Sequence, residues 1–159
     1  MKNEKCKTMD KRLEMKKRLV KKCLAEQVKI EEHNKALMKE AQETANEYEH
    51  AMDMTDTYRT QMLEKRDMFA RQLAKIIEER KVLERIDTHK TKSCAEFGSV
   101  VITDQNRLFI SIGLGKVCLD GEEFFAISPM VPLFKAMEGK KKGETFTFNG
   151  KSFRIVDVF

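Results

Sequence analysis

The sequence predicts an α+β fold in which an N-terminal antiparallel α-helical coiled-coil hairpin is followed by a small antiparallel β domain with one short helix. All seven glycines and both prolines of the 159 residues lie after residue 97, so the first half contains no strong helix breaker. The second half consists of short runs of β-branched and aromatic residues separated by turn formers. We therefore expect a helical hairpin over residues 1–88 and a β domain over residues 89–159.

The helical half shows the periodicity of a coiled coil. In its second part, large apolar residues recur every seven positions, at Met62, Phe69, Ile76 and Leu83. An earlier apolar stripe is looser, because Gln27 and Asn34 interrupt it. Arg66 and Arg80 take positions at the edge of the seam, where a long side chain can extend its head to water. Both stretches are expected to be helical.

An acidic segment separates the two stripes. Residues 40–58 contain six acidic residues and no basic residue, and the side chains at 53–57 can cap the start of a helix. We expect a second helix that begins near residues 54–57 and folds back on the first, with an acidic tip near residues 47–56. Because the segment has no glycine or proline, the sequence also leaves open one uninterrupted helix of about 75 residues that pairs with a second chain.

Basic residues are concentrated at the start of the chain. Residues 1–22 hold ten Lys or Arg against three acids, and in an antiparallel hairpin they lie at the base, away from the acidic tip. Such a cluster attracts nucleic acid or an acidic protein surface. The candidate contact residues are Lys16, Lys17, Arg18, Lys21 and Lys22. The alternative is a solvated helix face, and the two differ in the salt dependence of binding.

Five runs in the second half are predicted to be strands. They cover residues 97–103, 107–112, 123–127, 145–148 and 152–159. Asn149-Gly150 between the last two is a strong hairpin signal, since both residues tolerate the positive φ angles of a type I′ turn. Residues 132–138 are expected to form a short helix, with Pro132 in its first turn and Gly139 after its end.

Several classes of site are disfavoured by the sequence. The four cysteines, Cys6, Cys23, Cys94 and Cys118, form no CxxC pair, so reduced thiols are expected rather than a zinc site. No nucleotide-binding, serine-hydrolase or zinc-protease motif is present. No apolar run approaches the length needed to cross a bilayer, and the lysine-rich start is followed by no apolar region. We expect a cytoplasmic protein without membrane contact and without a cofactor of its own.

The run from Ser128 to Glu144, followed by a strand, a turn and another strand, resembles the C-terminal domain of the bacterial Gre transcript-cleavage factors. In that family, a proline, a short helix and a Gly-Lys-x-x-Gly-Asp sequence precede a closing β-hairpin. The residues that match this pattern in spacing are Pro132, Gly139, Lys140, Gly143 and Glu144, with Glu in place of the usual Asp. The close match covers about 60 residues. The order of a long helical hairpin followed by this domain agrees over almost the entire chain.

This resemblance implies a transcription elongation factor that regulates transcription by binding RNA polymerase. An FKBP-like β domain would dock at the entrance of the polymerase secondary channel. The hairpin would pass inward, where nascent RNA or DNA is contacted within the complex. The docking residues that the resemblance implies are Pro132, Leu133, Phe134, Gly139, Lys140 and Gly143. The chain would be a monomer that acts in trans on the polymerase, and not an enzyme by itself.

The resemblance also gives a role to the acidic tip. In the Gre family, two acidic residues at the tip help to hold the second Mg²⁺ of the polymerase and its water, because hard cations take carboxylate oxygens. The residue implied here is Asp56, with Asp53 and Glu49 as substitutes for its partner. Asp56 and Asp53 would share the Mg²⁺ with the polymerase. This tip lacks the glycine of the family and has Arg59 near the place of the second acid, so stimulated cleavage and a non-cleaving secondary-channel regulator both stay open.

Two other functions stay open on the residues alone. A structural coiled-coil dimer would use the β domain as an adaptor and would form a rod about 100 Å or more in length, in contrast to a compact hairpin monomer. Peptidyl-prolyl isomerase activity is suggested only by the class of the β domain.

Overall fold

The computed structural model describes residues 2–48 and 56–159, with side chains for residues 8–48 and 57–159. The chain forms two long helices and then a sheet of six strands with one short helix. The helices are α1 (Lys2–Glu47), α2 (Asp56–Glu84) and α3 (Pro132–Met137). The strands are β1 (Val100–Thr103), β2 (Arg107–Ile110), β3 (Gly115–Leu119), β4 (Glu122–Ile127), β5 (Thr145–Phe148) and β6 (Lys151–Val158). The predicted α+β class is confirmed.

Helices α1 and α2 form an antiparallel hairpin. Arg66 Nη1 on α2 donates to Gln42 Oε1 on α1 at 2.6 Å. Farther from the turn, Arg80 Nε on α2 donates to Glu31 Oε2 on α1 at 2.9 Å. The contact at the higher residue number on α2 is thus made with the lower residue number on α1, as in an antiparallel pair. The start of α2 at Asp56 lies within the predicted range, and two helices are observed instead of the alternative of one continuous helix.

The polar residues of the predicted seam make contacts between and within the helices. Arg66 and Arg80, which were expected to extend to water, direct guanidinium nitrogens to acceptors on α1. Gln27 and Asn34, which interrupt the apolar stripe, are only 1% and 9% exposed. The interruptions in the sequence pattern therefore lie inside the hairpin and not on its surface.

The strands are arranged in the order β3-β4-β2-β1-β6-β5. All neighbours are antiparallel except β2 and β4, which run parallel. The predicted turn joins β5 to β6, and Asn149 and Gly150 have φ angles of 50° and 75°, as a type I′ turn requires. The hairpin signal in the sequence is thus confirmed.

Strand β3 is missing from the predicted set. It lies at the edge of the sheet, and Val117 is its only buried residue. A strand with one buried residue shows little apolar alternation in sequence. The signal that would identify it is Asp120-Gly121, whose φ angles of 53° and 79° form the turn between β3 and β4.

Buried residues lie on both faces of the sheet, and the central strands β1 and β2 are largely buried. One face packs against α1 and the end of α2; this layer includes Leu19, Val20, Cys23, Leu83, Ile86, Val100, Phe109, Phe124 and Phe159. The opposite face packs against α3; this layer includes Phe134, Met137, Val101, Leu108, Ile110 and Ile155. A turn of α1 is therefore part of the sheet core.

The chain divides into two compact units. One comprises Met1–Leu24 with Val82–Phe159 and contains the sheet, and the other comprises Ala25–Lys81 and contains the remainder of the two long helices. The predicted boundary after residue 88 follows the end of α2. The packing additionally assigns the start of α1 to the unit that contains the sheet.

Candidate functional site

The stretch that resembles the Gre family, residues 128–144, begins with a tight turn. The Met130 N–H donates to Ser128 Oγ at 3.2 Å. Pro129 and Pro132 restrict φ on both sides of Met130. The Met130 side chain is 77% exposed, the highest value among the large hydrophobic residues of the described ranges. The turn therefore presents an apolar side chain to solvent from a restricted backbone.

Helix α3 directs one face to the core. Phe134 and Met137 are 4% and 0% exposed and lie in the sheet core, whereas Pro132 is exposed and Leu133 is half-buried. Among the docking residues that the resemblance implies, Phe134 thus holds α3 on the sheet, and Pro132 and Leu133 remain accessible.

The segment after α3 is a closed turn. Gly139 and Gly143 have φ angles of 73° and 91°, which explains why glycine occupies both positions. The Gly139 N–H donates to the Ala95 carbonyl at 2.8 Å. The Glu144 carboxylate accepts a hydrogen bond from the Lys141 N–H. The matched Gly-Lys-x-x-Gly-Glu sequence therefore corresponds to the φ angles and hydrogen bonds of this turn.

Three lysines lie in this turn. Lys140 is half-buried, and Lys141 and Lys142 are exposed. Lys142 Nζ lies 3.5 Å from Asp157 Oδ1, and Arg12 of α1 forms a salt bridge with the same carboxylate at 2.6 Å. Asp157 therefore connects the turn after α3 to α1.

Within the predicted basic contact cluster, Lys16 faces the protein interior. Its side chain is 0% exposed, and Nζ donates to the Lys90 carbonyl at 3.0 Å. Burial, with a smaller effect of the Lys92 charge, lowers the pKa of Lys16 below its ordinary value. Lys16 thus fastens α1 to the segment that follows α2.

The other four residues of the basic cluster reach the surface. Arg18 donates through Nη1 and Nη2 to the Asp120 carboxylate, and this hydrogen bonding raises the pKa of Arg18 above its ordinary value. Lys17, Lys21 and Lys22 are exposed. Lys17 and Lys21 are four residues apart on α1 and so share a face. Contact of this face with nucleic acid or with the rim of the polymerase stays a prediction.

The tip of the hairpin is described only at its two flanks. Glu49 and Asp53 lie outside the described residues, and Asp56 is the first residue of α2 but has no described side chain. At the flanks, the rings of Tyr48 and Tyr58 form a T-shaped pair with centroids 4.9 Å apart. The two arms of the hairpin are therefore in contact next to the tip, and the roles of the three acids stay predictions.

A metal site requires clustered ligands, and a membrane span requires a long apolar helix. Among residues 8–48 and 57–159, no group of three or more His, Cys, Asp or Glu residues is arranged to hold a metal ion. In the helices that the structure describes, no segment is both long and apolar enough to span a membrane.

A cavity of about 560 Å³ opens near the turns from β1 to β2 and from β3 to β4. Its lining is formed by Ile102, Thr103, Asp104, Gln105, Asn106, Arg107, Gly121, Glu122, Glu123 and Phe125. Arg107 Nη2 donates to Glu122 Oε1 at 3.0 Å, and Glu123 pairs with Lys116 of the adjacent strand. These pairs neutralise charges in the lining, and no motif in the sequence marks the cavity.

Met130 is absent from the predicted docking residues, although it belongs to the same stretch. The signal in the sequence is a methionine that lies between two prolines, Pro129 and Pro132. Prolines favour turns, and turns lie at the surface. A large apolar residue in such a position is a candidate for contact with a partner.

Comparison with known proteins places few constraints on this chain. No protein-family model matches the sequence, and no curated protein matches it. A solved structure of the transcription factor Gfh1 is similar at 17% identity with a TM-score of 0.35, over 87% of this chain and 94% of that chain. A structure of GreA factor homolog 1 (Gfh1) of Thermus thermophilus is similar at 19% identity with a TM-score of 0.32, over 86% and 94%. TM-scores below 0.5 do not show a shared fold.

Proposed function

We propose that this protein is an RNA-polymerase-binding transcription elongation factor of Gre type. The observation that carries this assignment is Met130, which is 77% exposed in a turn between two prolines. This turn lies within the stretch that resembles the docking domain of the Gre factors. An exposed apolar side chain on a restricted backbone is suited to protein docking, because little conformational freedom is lost on binding.

The contribution of Met130 to docking follows from its exposed area. Complete burial of a methionine side chain is worth about 1.5–3 kcal/mol. Removal of this contact therefore corresponds to roughly a tenfold to hundredfold loss of affinity. Pro132 and Leu133, which are accessible on α3, would extend the same contact.

The hairpin supplies the part that enters the secondary channel. Helix α2 has 29 residues and at 1.5 Å per residue extends for about 40 Å. In this proposal the acids Asp56, Asp53 and Glu49 at the tip approach the active centre, and the Mg²⁺ of the polymerase supplies the hydrolytic chemistry. The protein then acts in trans as a monomer. Lys17 and Lys21 are available on α1 for contact with nucleic acid or with the channel rim.

Binding to core RNA polymerase tests the docking surface. Met130→Asp places a charge on the proposed contact and should weaken binding at least about tenfold in a titration with labelled protein. Val156→Asp is the matched control, because Val156 is also apolar and 49% exposed in the same unit but lies on β6. The control should bind within about twofold of the wild type. Equal losses in the two variants, or no binding by the wild type, would overturn the assignment.

Transcript cleavage in backtracked complexes tests the tip. If the acids assist the polymerase Mg²⁺, Asp56→Ala and Asp53→Ala should slow cleavage without loss of binding. Glu43→Ala is a control, because Glu43 is an exposed acid on α1 outside the proposed tip acids. Its Oε1 lies 3.5 Å from Lys39 Nζ. Binding without any cleavage by the wild type would identify the non-cleaving secondary-channel regulator instead.

A further inference from the structure

The seam between α1 and α2 contains a buried amide that bonds across the hairpin. The Gln27 side chain is 1% exposed, and its Nε2 donates to the Ile76 carbonyl at 3.1 Å and to Glu79 Oε2 at 3.2 Å. A buried amide without such partners costs about 1–3 kcal/mol. The two acceptors on α2 therefore satisfy the buried amide, and of the two only the Glu79 carboxylate depends on the residue type at its position.

A buried carboxylate lies one helical turn farther along α1. Glu31 is 7% exposed, and its Oε2 accepts from Arg80 Nε at 2.9 Å while its Oε1 accepts from Lys35 Nζ at 2.6 Å. The Lys35 hydrogen bond, supported by Arg80, holds the pKa of Glu31 below its ordinary value. The carboxylate thus depends on a cation from α2 as well as on one from its own helix.

A third polar contact lies toward the tip. Gln42 Oε1 accepts from Arg66 Nη1 at 2.6 Å. The set formed by Gln27 with Ile76 and Glu79, Glu31 with Arg80, and Gln42 with Arg66 is here called the polar ladder. The apolar stripe alone leaves the register open, because it repeats every seven residues and accepts a shift of one repeat.

The contact of Glu31 with Arg80 in the polar ladder does not survive such a shift. If α2 moves by seven residues in either direction, Arg80 is replaced opposite Glu31 by Leu73 of α2 or by Asp87, which lies beyond the end of α2. Neither residue can replace the Arg80 guanidinium, so the carboxylate would keep only Lys35 of its own helix. Loss of one of the partners of a buried charge is unfavourable. Pairing of α1 with α1 of a second copy in parallel register would place two Glu31 side chains opposite each other without Arg80, and like charges in that position repel.

We propose that the polar ladder selects α2 of the hairpin as the partner of α1 and fixes a single register, at the expense of coiled-coil pairing between copies of α1. Buried polar groups are known to set register and partner choice in coiled coils. This role of the polar ladder does not depend on the proposed binding to RNA polymerase. It also explains why the apolar stripe of α1 is interrupted at Gln27.

Charge reversal tests the central contact. Arg80→Glu places two acids opposite each other and should lower the midpoint of thermal unfolding by about 5 °C or more. Combination with Glu31→Arg and Lys35→Glu restores opposite charges and should recover most of this loss. Arg71→Glu is the matched control on the exposed surface of α2 and should change the midpoint by about 1 °C at most. A loss that the combined variant does not recover would overturn the selecting role of this contact.

Replacement of the ladder by apolar residues separates selection from stability. The variant Gln27→Leu, Glu31→Leu, Arg80→Leu should stay helical but should lose its single monomeric state, as shown by light-scattering mass. Register can be followed in the near-ultraviolet circular dichroism of tyrosine, because the chain has two Tyr and no Trp and both Tyr rings meet across the seam. The expected result is a dimeric component together with loss of the tyrosine signal. A variant with monomer mass and the wild-type tyrosine signal would show that the apolar stripe suffices, and would overturn the inference.

Discussion

Leu19 belongs to α1, yet its side chain is 0% exposed and packs in the core of the sheet. Leu19→Ala removes three carbon atoms, which at about 0.8 kcal/mol for each methylene amounts to about 2 kcal/mol of transfer free energy. The cavity left between α1 and the sheet increases this, so we expect the free energy of unfolding to fall by about 3 kcal/mol. The ratio of folded to unfolded protein then falls roughly a hundredfold.

Two probes report on the two compact units during urea denaturation. Tyrosine signals report on Ala25–Lys81, because Tyr48 and Tyr58 both lie there. Amide exchange of β2, a central strand, reports on the sheet. The expected result for Leu19→Ala is a roughly hundredfold loss of exchange protection in β2.

The control is Val28→Ala, on α1 but 40% exposed. This change should alter the free energy of unfolding by under about 0.5 kcal/mol. The opposite outcome is that Leu19→Ala leaves amide exchange protection in β2 at the wild-type level and lowers only the urea midpoint of the tyrosine signal. In that case α1 is not part of the sheet core and the reasoning is refuted.

Two further changes test a turn and a buried charge. Gly150→Ala should lower the free energy of unfolding by about 1 kcal/mol, because Gly150 has a φ of 75°. Gly113→Ala, at a position without positive φ and with no atom within 4 Å of an added Cβ, should have little effect in the same urea titration, and equal effects would contradict the strain argument. Because burial lowers the pKa of Lys16 from 10.5, the unfolded chain binds this proton more tightly, and stability should rise with pH between the lowered pKa and that value. Lys16→Met should remove this rise on the alkaline side of neutral pH below 10.5, and an unchanged pH slope would contradict it.

The parts of the fold that were predictable carry local signals. A seven-residue repeat from Met62 to Leu83 depends only on helix geometry, and Asn149-Gly150 depends only on turn geometry. Strand β3 is different, because an edge strand with exposed Lys116 and Cys118 needs no apolar alternation. Residues 115–119 form a strand because they pair with β4. The sequence of β3 alone gives no signal of this pairing.

The burial of individual side chains was less predictable from the sequence than the positions of helices and strands. A lysine at position 16 looks like its exposed neighbours in sequence, but Lys16 lies beneath the segment after α2 and bonds to Lys90. Phe134 matches the docking stretch of the Gre family in position, but the face of α3 that packs on the sheet includes it. In both cases the tertiary packing of a distant segment decides exposure, and no local pattern reports it.

The position of β1 within the sheet has a consequence for the order in which the protein can fold during its synthesis. Strand β1 lies between β2 and β6, and Val101 pairs with Val158. On the ribosome, β1 therefore lacks one neighbour until β6 has been made and has emerged. During that interval Leu19 and Leu83 have no complete sheet to cover, although their helices are made first. Long-range pairing of this kind slows folding, and it leaves the apolar surface of the two helices exposed until β6 has emerged.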